Sequence, residues 1–192
     1  MCGIYGVFQK NNSLRNSDVI SLAKTAQARG IDSSGIVFQA GNDINIKKRD
    51  FGSLALIKET PNYSKSCFIA GHSRLITNDV LSNQPVIYED LIVIHNGIIT
   101  NYMEIWDQIG LQPKTGLDSE LIPALFSYYT NQGLSEDDSV KKIFSVCEGV
   151  ISAVILSPRN NKVYLISNNG SLYYGYKEDS LFVASESFSL TS

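Results

Sequence analysis

Four β-patterned segments close the chain in quick succession: GVISAVIL (149–156), KVYLIS (162–167), SLYYGY (171–176) and SLFVASE (180–186). The gaps between them are too short for the crossover helix that a parallel pair needs. Pro158, Asn160-Asn161 and Asn169-Gly170 supply turn residues instead. Earlier segments follow the same habit. GIYGVFQ (3–9) reads as a buried strand, and SSGIVFQA leads through the GND turn (41–43) into INIKKR as a hairpin. CFIAGHSRL (67–75) and LIVIHNG (91–97) are strongly apolar strands flanking TNDVLSNQP (77–85), a loop by composition. Helical patterns occupy a stretch capped by Ser17-Asp18 and ending near Gly30, then 102–109, 118–130 and 136–146. The order β, α, ββ, ββ, ααα, ββββ predicts antiparallel sheets with helices outside, and disfavours a doubly wound parallel fold.

A chain of 192 residues with 43% hydrophobic and 18% charged residues is globular and fits one domain. Its net charge of −3, without a Lys/Arg block, gives no reason to expect a nucleic-acid or membrane-surface partner. Lys47-Lys48-Arg49 reads as a solvated strand end. No apolar run is long enough to span a membrane and the N-terminus lacks a signal pattern. Three cysteines at unpaired spacing (Cys2, Cys67, Cys147) argue against a disulfide framework or a zinc site. A reducing, cytoplasmic compartment is expected, and the Asn-x-Ser matches at Asn11, Asn62 and Asn169 are read as chance.

Cys67 sits among Phe68, Ile69 and Ala70 and Cys147 faces a helix end before Gly149; both read as small buried hydrophobes. Cys2 differs, because removal of Met1 would leave a thiol and an α-amine on one residue. That amine, with a pKa of about 7.7–8.0, could serve as general base for the thiol. His72 and His95 are the only histidines; they read either as packed strand residues or as half of a Cys–His dyad. Two histidines without a third ligand do not make a metal site. Asn96-Gly97 offers two readings, a hairpin turn or a pair of oxyanion donors at a strand end. Arg74 suits either a salt bridge or a ligand carboxylate, and Asp118 a helix N-cap.

Taken together, these segments resemble the class-II glutamine amidotransferases, the N-terminal-nucleophile glutaminases found in glucosamine-6-phosphate synthase, phosphoribosylpyrophosphate amidotransferase and asparagine synthetase. The resemblance lies in MCGIYGVF, ARGIDSSGIVF, GHSRLITN, NQPV with LIVIHNGIITNY, LDSELIPALF, and GVISAVIL with LFVASE, in order from residue 2 to about 186. It implies an α+β, four-layer αββα sandwich of antiparallel sheets and a single glutaminase domain over 1–192, the usual synthase domain being absent. Cys2 would attack the side-chain amide of L-glutamine, and Asn96 and Gly97 would stabilise the oxyanion. Arg74 would bind the substrate α-carboxylate and Asp118 its α-ammonium, with backbone near Thr77 and Ile98 completing the pocket. Gly3 and Gly6 would keep backbone room beside the substrate. No cofactor or metal is implied, and ammonia would pass to a separate synthase partner.

Relatives near glucosamine-6-phosphate synthase carry tryptophan and histidine where this chain has Leu75 and Asn78, and NQPV is closer to the asparagine-synthetase side. Two other readings stay open: a hydrolase of a different γ-glutamyl amide, and a catalytically silent binding or regulatory module. The intact set of Cys2, Arg74, Asn96, Gly97 and Asp118 argues against the silent module.

Overall fold

The computed structural model describes residues 2–11, 13–75 and 83–190. They form two compact units, one of Met1–Pro85 with Gly170–Ser192, the other of Val86–Asn169.

The first unit is a six-stranded sheet with helices packed on one face. Its strands are β1 (Gly3–Gln9), β2 (Ser33–Ala40), β3 (Asp43–Arg49), β4 (Phe68–Arg74), β9 (Tyr173–Lys177) and β10 (Ser180–Ala184), in the order β3-β2-β4-β1-β10-β9. Every pairing is antiparallel. The N-terminal strand is therefore interior, with ladder partners on both edges, and a segment near the end of the sequence supplies one of them.

Tyr5, Val7, Ile36, Phe38 and Ile69 project to one face, where they pack with Val19, Leu22, Ala23 and Ala26 of α1 (Asn16–Gln27). These four helix positions are spaced i, i+3, i+4, i+7, which is the stripe one helix face presents. Burying each large side chain is worth about 1.5–3 kcal/mol. Ser17 and Asp18 lie inside the first turn of α1 rather than capping it. Arg15 is the cap residue, without a side-chain bond, and Asp18 complements the helix dipole. A short helix, α2 (Ser53–Lys58), has no counterpart among the sequence signals. Its two buried aliphatics, Leu56 and Ile57, are too few to print a period.

The second unit is a four-stranded antiparallel sheet in the order β5-β6-β7-β8, built from β5 (Val86–Tyr88), β6 (Leu91–Ile99), β7 (Gly149–Ser157) and β8 (Lys162–Ser167). Leu91, Val93 and Ile99 of β6 and Ile151, Ala153 and Ile155 of β7 face the helices α3 (Tyr102–Ile109), α4 (Leu121–Asn131) and α5 (Glu136–Val146). Trp106 and Leu125 are fully enclosed in that core. Ser135 caps α5 by accepting from Asp138 N–H at 3.1 Å, as the sequence suggests. The turn between β5 and β6 falls at Glu89-Asp90, so Asn96-Gly97 is not a hairpin turn. It lies inside a strand that continues to Ile99.

Both units are antiparallel sheets backed by helices, the α+β arrangement expected from the hairpin-rich order. Among the described residues no helix is long and apolar enough to cross a membrane.

Candidate active site

In the first unit the register fixes what surrounds the chain start. Gly3 pairs with Ser73, and Ser73 and Arg74 pair with Ser34 and Ser33 on the other side. Extending the β1–β4 ladder by one residue sets Cys2 across from Arg74. Residues directly opposite in an antiparallel pair project to the same face. Ser73 points to the helix side, where its hydroxyl meets that of Ser53 at 2.5 Å. Arg74 therefore projects to the face away from the helices, and an extended chain before Gly3 would bring Cys2 to that face. Both are half-buried.

Gly3 keeps backbone room for a helix. A Cβ on Gly3 would stand 2.2 Å from the carbonyl oxygen of Ala26, so this glycine lets β1 lie against the end of α1. One on Gly6 would meet the Phe8 ring at 3.0 Å and the Ile69 carbonyl at 3.4 Å. Gly30 serves the strand carrying Arg74, since a Cβ there would be 2.3 Å from the Arg74 carbonyl carbon. The Arg74 carbonyl also accepts from Asp32 N–H at 3.0 Å. Thr77 and Asn78, like Met1, lie outside the described residues.

In the second unit Asn96, Gly97 and Ile98 sit on β6, with Asn96 buried and the other two exposed. Alternate backbone N–H groups of a strand point to opposite edges. Thr100 N–H donates to Glu148 O, toward the β7 side, whereas Ile99 N–H donates to Asp118 Oδ2 at 2.7 Å on the opposite edge. Gly97 N–H projects to that same edge as Ile99, and β5 covers the edge only as far as Val93. The Gly97 φ is +155°, and a Cβ added there would stand 1.9 Å from Val150 O, which leaves glycine as the residue that fits.

Asp118 is not a helix N-cap. It opens a 3₁₀ turn (Asp118–Glu120) whose cap residue is Leu117, and its carboxylate reaches β6 instead. Three further groups, not singled out for this role by the sequence, hold the arrangement: His95, Ser119 and Glu120. His95, fully buried, bonds through Nδ1 to Ser119 Oγ at 3.0 Å and through Nε2 to Val150 O at 3.2 Å. A carbonyl can only accept, so Nε2 carries a proton, and the Ser119 hydroxyl lies between Nδ1 and Asp118 Oδ1, the latter 3.3 Å away. Burial lowers the His95 pKa, against the opposing pull of the Asp118 charge and the Val150 carbonyl, so the ring is neutral. His95 is thus a packed strand histidine, with its ring directly behind Gly97.

Glu120 is fully buried and accepts from Lys114 N–H at 2.9 Å, Thr115 N–H at 2.6 Å and Thr115 Oγ1 at 2.7 Å, tying down the loop that leads to Asp118. Its signal in the sequence is the acidic pair of DSE, which spacing alone does not distinguish from solvated helix-start charge.

Of the other cysteines, Cys147 is buried as expected, whereas Cys67 is half-buried and its thiol donates to Gln39 Oε1 at 2.7 Å, so it is not a buried hydrophobe. Burial raises the Cys67 thiol pKa, and pushes that of Cys147 up to about 12. Among the described residues no cluster of three or more His, Cys, Asp or Glu side chains could hold a metal ion.

Residues 72–192 match the glutamine amidotransferase domain family. The chain is 30% identical over 203 residues to the glutamine–fructose-6-phosphate aminotransferase (isomerizing) of Bartonella quintana, covering 100% of this chain and 33% of that one. The corresponding Clostridium acetobutylicum enzyme is 31% identical over 197 residues, covering 97% and 32%. The chain spans about a third of the length of these curated relatives. Among solved structures, the glutamine phosphoribosylpyrophosphate amidotransferase of B. subtilis superposes with a TM-score of 0.78 at 22% identity, over 99% of this chain and 43% of that one. An allosteric regulatory enzyme of purine biosynthesis gives 0.80 at 21%, with the same coverage. These two likenesses show a shared fold.

Proposed function

The chain belongs to the glutamine amidotransferase domain family, of the class-II, N-terminal-nucleophile kind, and from that premise we propose that it hydrolyses the side-chain amide of L-glutamine through Cys2. In this reading Met1 is removed and the α-amine of Cys2 takes the thiol proton. The sulfur attacks the amide carbon, forming a C–S bond and a tetrahedral oxyanion. The Asn96 amide and Gly97 N–H stabilise that oxyanion, each donor being worth about 3–4 kcal/mol of barrier. The ammonium formed on Cys2 passes its proton to the leaving nitrogen, the C–N bond breaks, and ammonia departs from a γ-glutamyl thioester. Water then adds to the thioester, gives a proton to the amine, and the C–S bond breaks to release glutamate and restore the thiol.

Arg74 binds the substrate α-carboxylate as a charge-assisted pair, and Asp118 the α-ammonium. Backbone at Thr77 and Ile98 completes recognition. Ammonia passes to a synthase acting as partner.

The observation that carries this reading is the edge of β6. A glycine N–H turned away from the β7 ladder lies next to a buried Asn and two residues from a carboxylate-bound N–H. That juxtaposition of donors and an anion suits a developing oxyanion beside an ammonium group. The test is ammonia release from glutamine by the wild type and by Cys2→Ala, with intact mass reporting whether Met1 is present. Cys2→Ala is expected to lose turnover by about 10³-fold or more. Equal turnover by the variant, or an active protein that retains Met1, would overturn the mechanism. Faster release from another γ-glutamyl amide than from glutamine would reassign the substrate.

A further inference from the structure

The ladder between β1 and β10 ends at Tyr5 and Ala184, three residues short of Cys2. Beyond that point a different device takes over. Ile4 N–H donates to Ser185 Oγ at 3.0 Å, and Ser185 N–H donates back to Ile4 O at 3.0 Å. Ile4 and Ser185 are both buried. Arg29, just past the end of α1, donates through Nη1 to Ser185 O at 3.0 Å and to Glu186 Oε1 at 2.5 Å. Its side chain is 11% exposed and that of Glu186 34%. The same end of α1 is where Gly3 lies against Ala26.

These contacts converge on the two residues that follow Cys2. Ile4 is roughly 7 Å along an extended strand from Cys2, so the reciprocal bonds with Ser185 set the direction in which the chain start leaves the sheet. A serine hydroxyl that accepts a buried backbone N–H, with its own carbonyl held by a largely buried guanidinium, has little freedom to shift. The path from Arg29 to the chain start that these bonds trace runs through Ser185 and Ile4.

We propose that Arg29, with Ser185 and Glu186, is the positioning set that aims the Cys2 nucleophile, a role that rests on the reading of Cys2 as the attacking group. Geometry at a nucleophile is steep in rate: a misplacement of about 1 Å costs on the order of 100-fold. Substrate recognition through Arg74 and Asp118 is untouched, so the loss falls on kcat rather than KM.

The test compares wild type, Arg29→Met, Arg29→Lys, Ser185→Ala and Cys2→Ala for glutamine-dependent ammonia release. Rates of the wild type and of the Arg29 and Ser185 variants are normalised to active sites titrated with a stoichiometric glutamine chloroketone analogue, and that of Cys2→Ala, which has no thiol to titrate there, to folded protein. Arg29→Met is expected to lower kcat by about 30–100-fold with KM within about threefold. Ser185→Ala, which removes one acceptor and no charge, should lower kcat by about 5–10-fold, and Arg29→Lys should restore part of the Arg29→Met loss. Wild-type kcat in Arg29→Met and Ser185→Ala would overturn the proposal, as would a rise in KM alone. Undiminished turnover by Cys2→Ala would instead overturn the reading on which it rests. Should Arg29→Met fail to fold, Ser185→Ala decides on the same readout.

Discussion

Two regions of this protein hold chemistry-bearing residues by opposite means. In the first unit the chain start is held by a segment 181 positions away, through Ile4 and Ser185. In the second unit the β6 edge is held by nearer groups: Asp118 is 19 positions from Ile99, and Ser119 is 24 from His95. In one, the start of β1 is tied to a remote segment as well as to β4. The other is an interior strand stiffened from behind by a buried ring. Precision at a terminus has to be imported, whereas precision within a strand can be built from its own surroundings.

The largest expected contrast between the two regions comes from adding the same methyl group to each. Gly97→Ala should cut glutamine turnover by about 10²–10³-fold, because the Val150 carbonyl blocks the new Cβ and the backbone donor must move. Gly3→Ala meets a comparable wall in the Ala26 carbonyl, yet that carbonyl belongs to packing. It should appear first as about 1–3 kcal/mol of lost stability in urea melts. Equal losses of turnover per folded site in the two variants would break the contrast.

A pH experiment isolates the second region. The folded-state pKa of His95 lies below its unfolded value of about 6.5, so between the two the unfolded chain binds more protons. Stability from this group is present above about pH 6.5 and is lost as pH falls through that value toward the folded pKa. His95→Gln should flatten the fall in urea midpoint between about pH 7 and 5.5. An unchanged slope would mean that the buried ring is not the source.

The smallest effect is expected far from either region. Arg15 and Glu178 pair at 2.8 Å, but both are well over half exposed. Arg15→Ala should change stability by less than about 0.5 kcal/mol in the same melts. A larger loss would mean that the end of β1 distant from Cys2 needs the same kind of remote tie as its start.

Much of the architecture was legible because strand and helix periods differ. The apolar runs of β6 and β7, the Ser135 cap and the Gly41 turn each follow from local chemistry that a sequence displays. The helix α2 was not legible, since two buried aliphatic residues in a single short stretch make no period. Asn96-Gly97 was locally ambiguous: the dipeptide favours a turn, and only the longer pairing of β6 with β7, from Ile92 to Ile99, kept it extended. Asp118 likewise has the local chemistry of a cap, and its use depends on Ile99 N–H coming within 2.7 Å.

What the sequence determined by itself was the antiparallel, helix-backed character of the chain and the roster of reactive side chains, because those depend on period, turn residues and residue type. Only the tertiary structure decided that Gly3 makes room for α1, that His95 is a neutral prop behind Gly97, and that Arg29 and Ser185 clamp the strand behind Cys2. Each of these depends on contact between residues far apart in the chain, and local composition carries no record of which distant carbonyl a given N–H will meet.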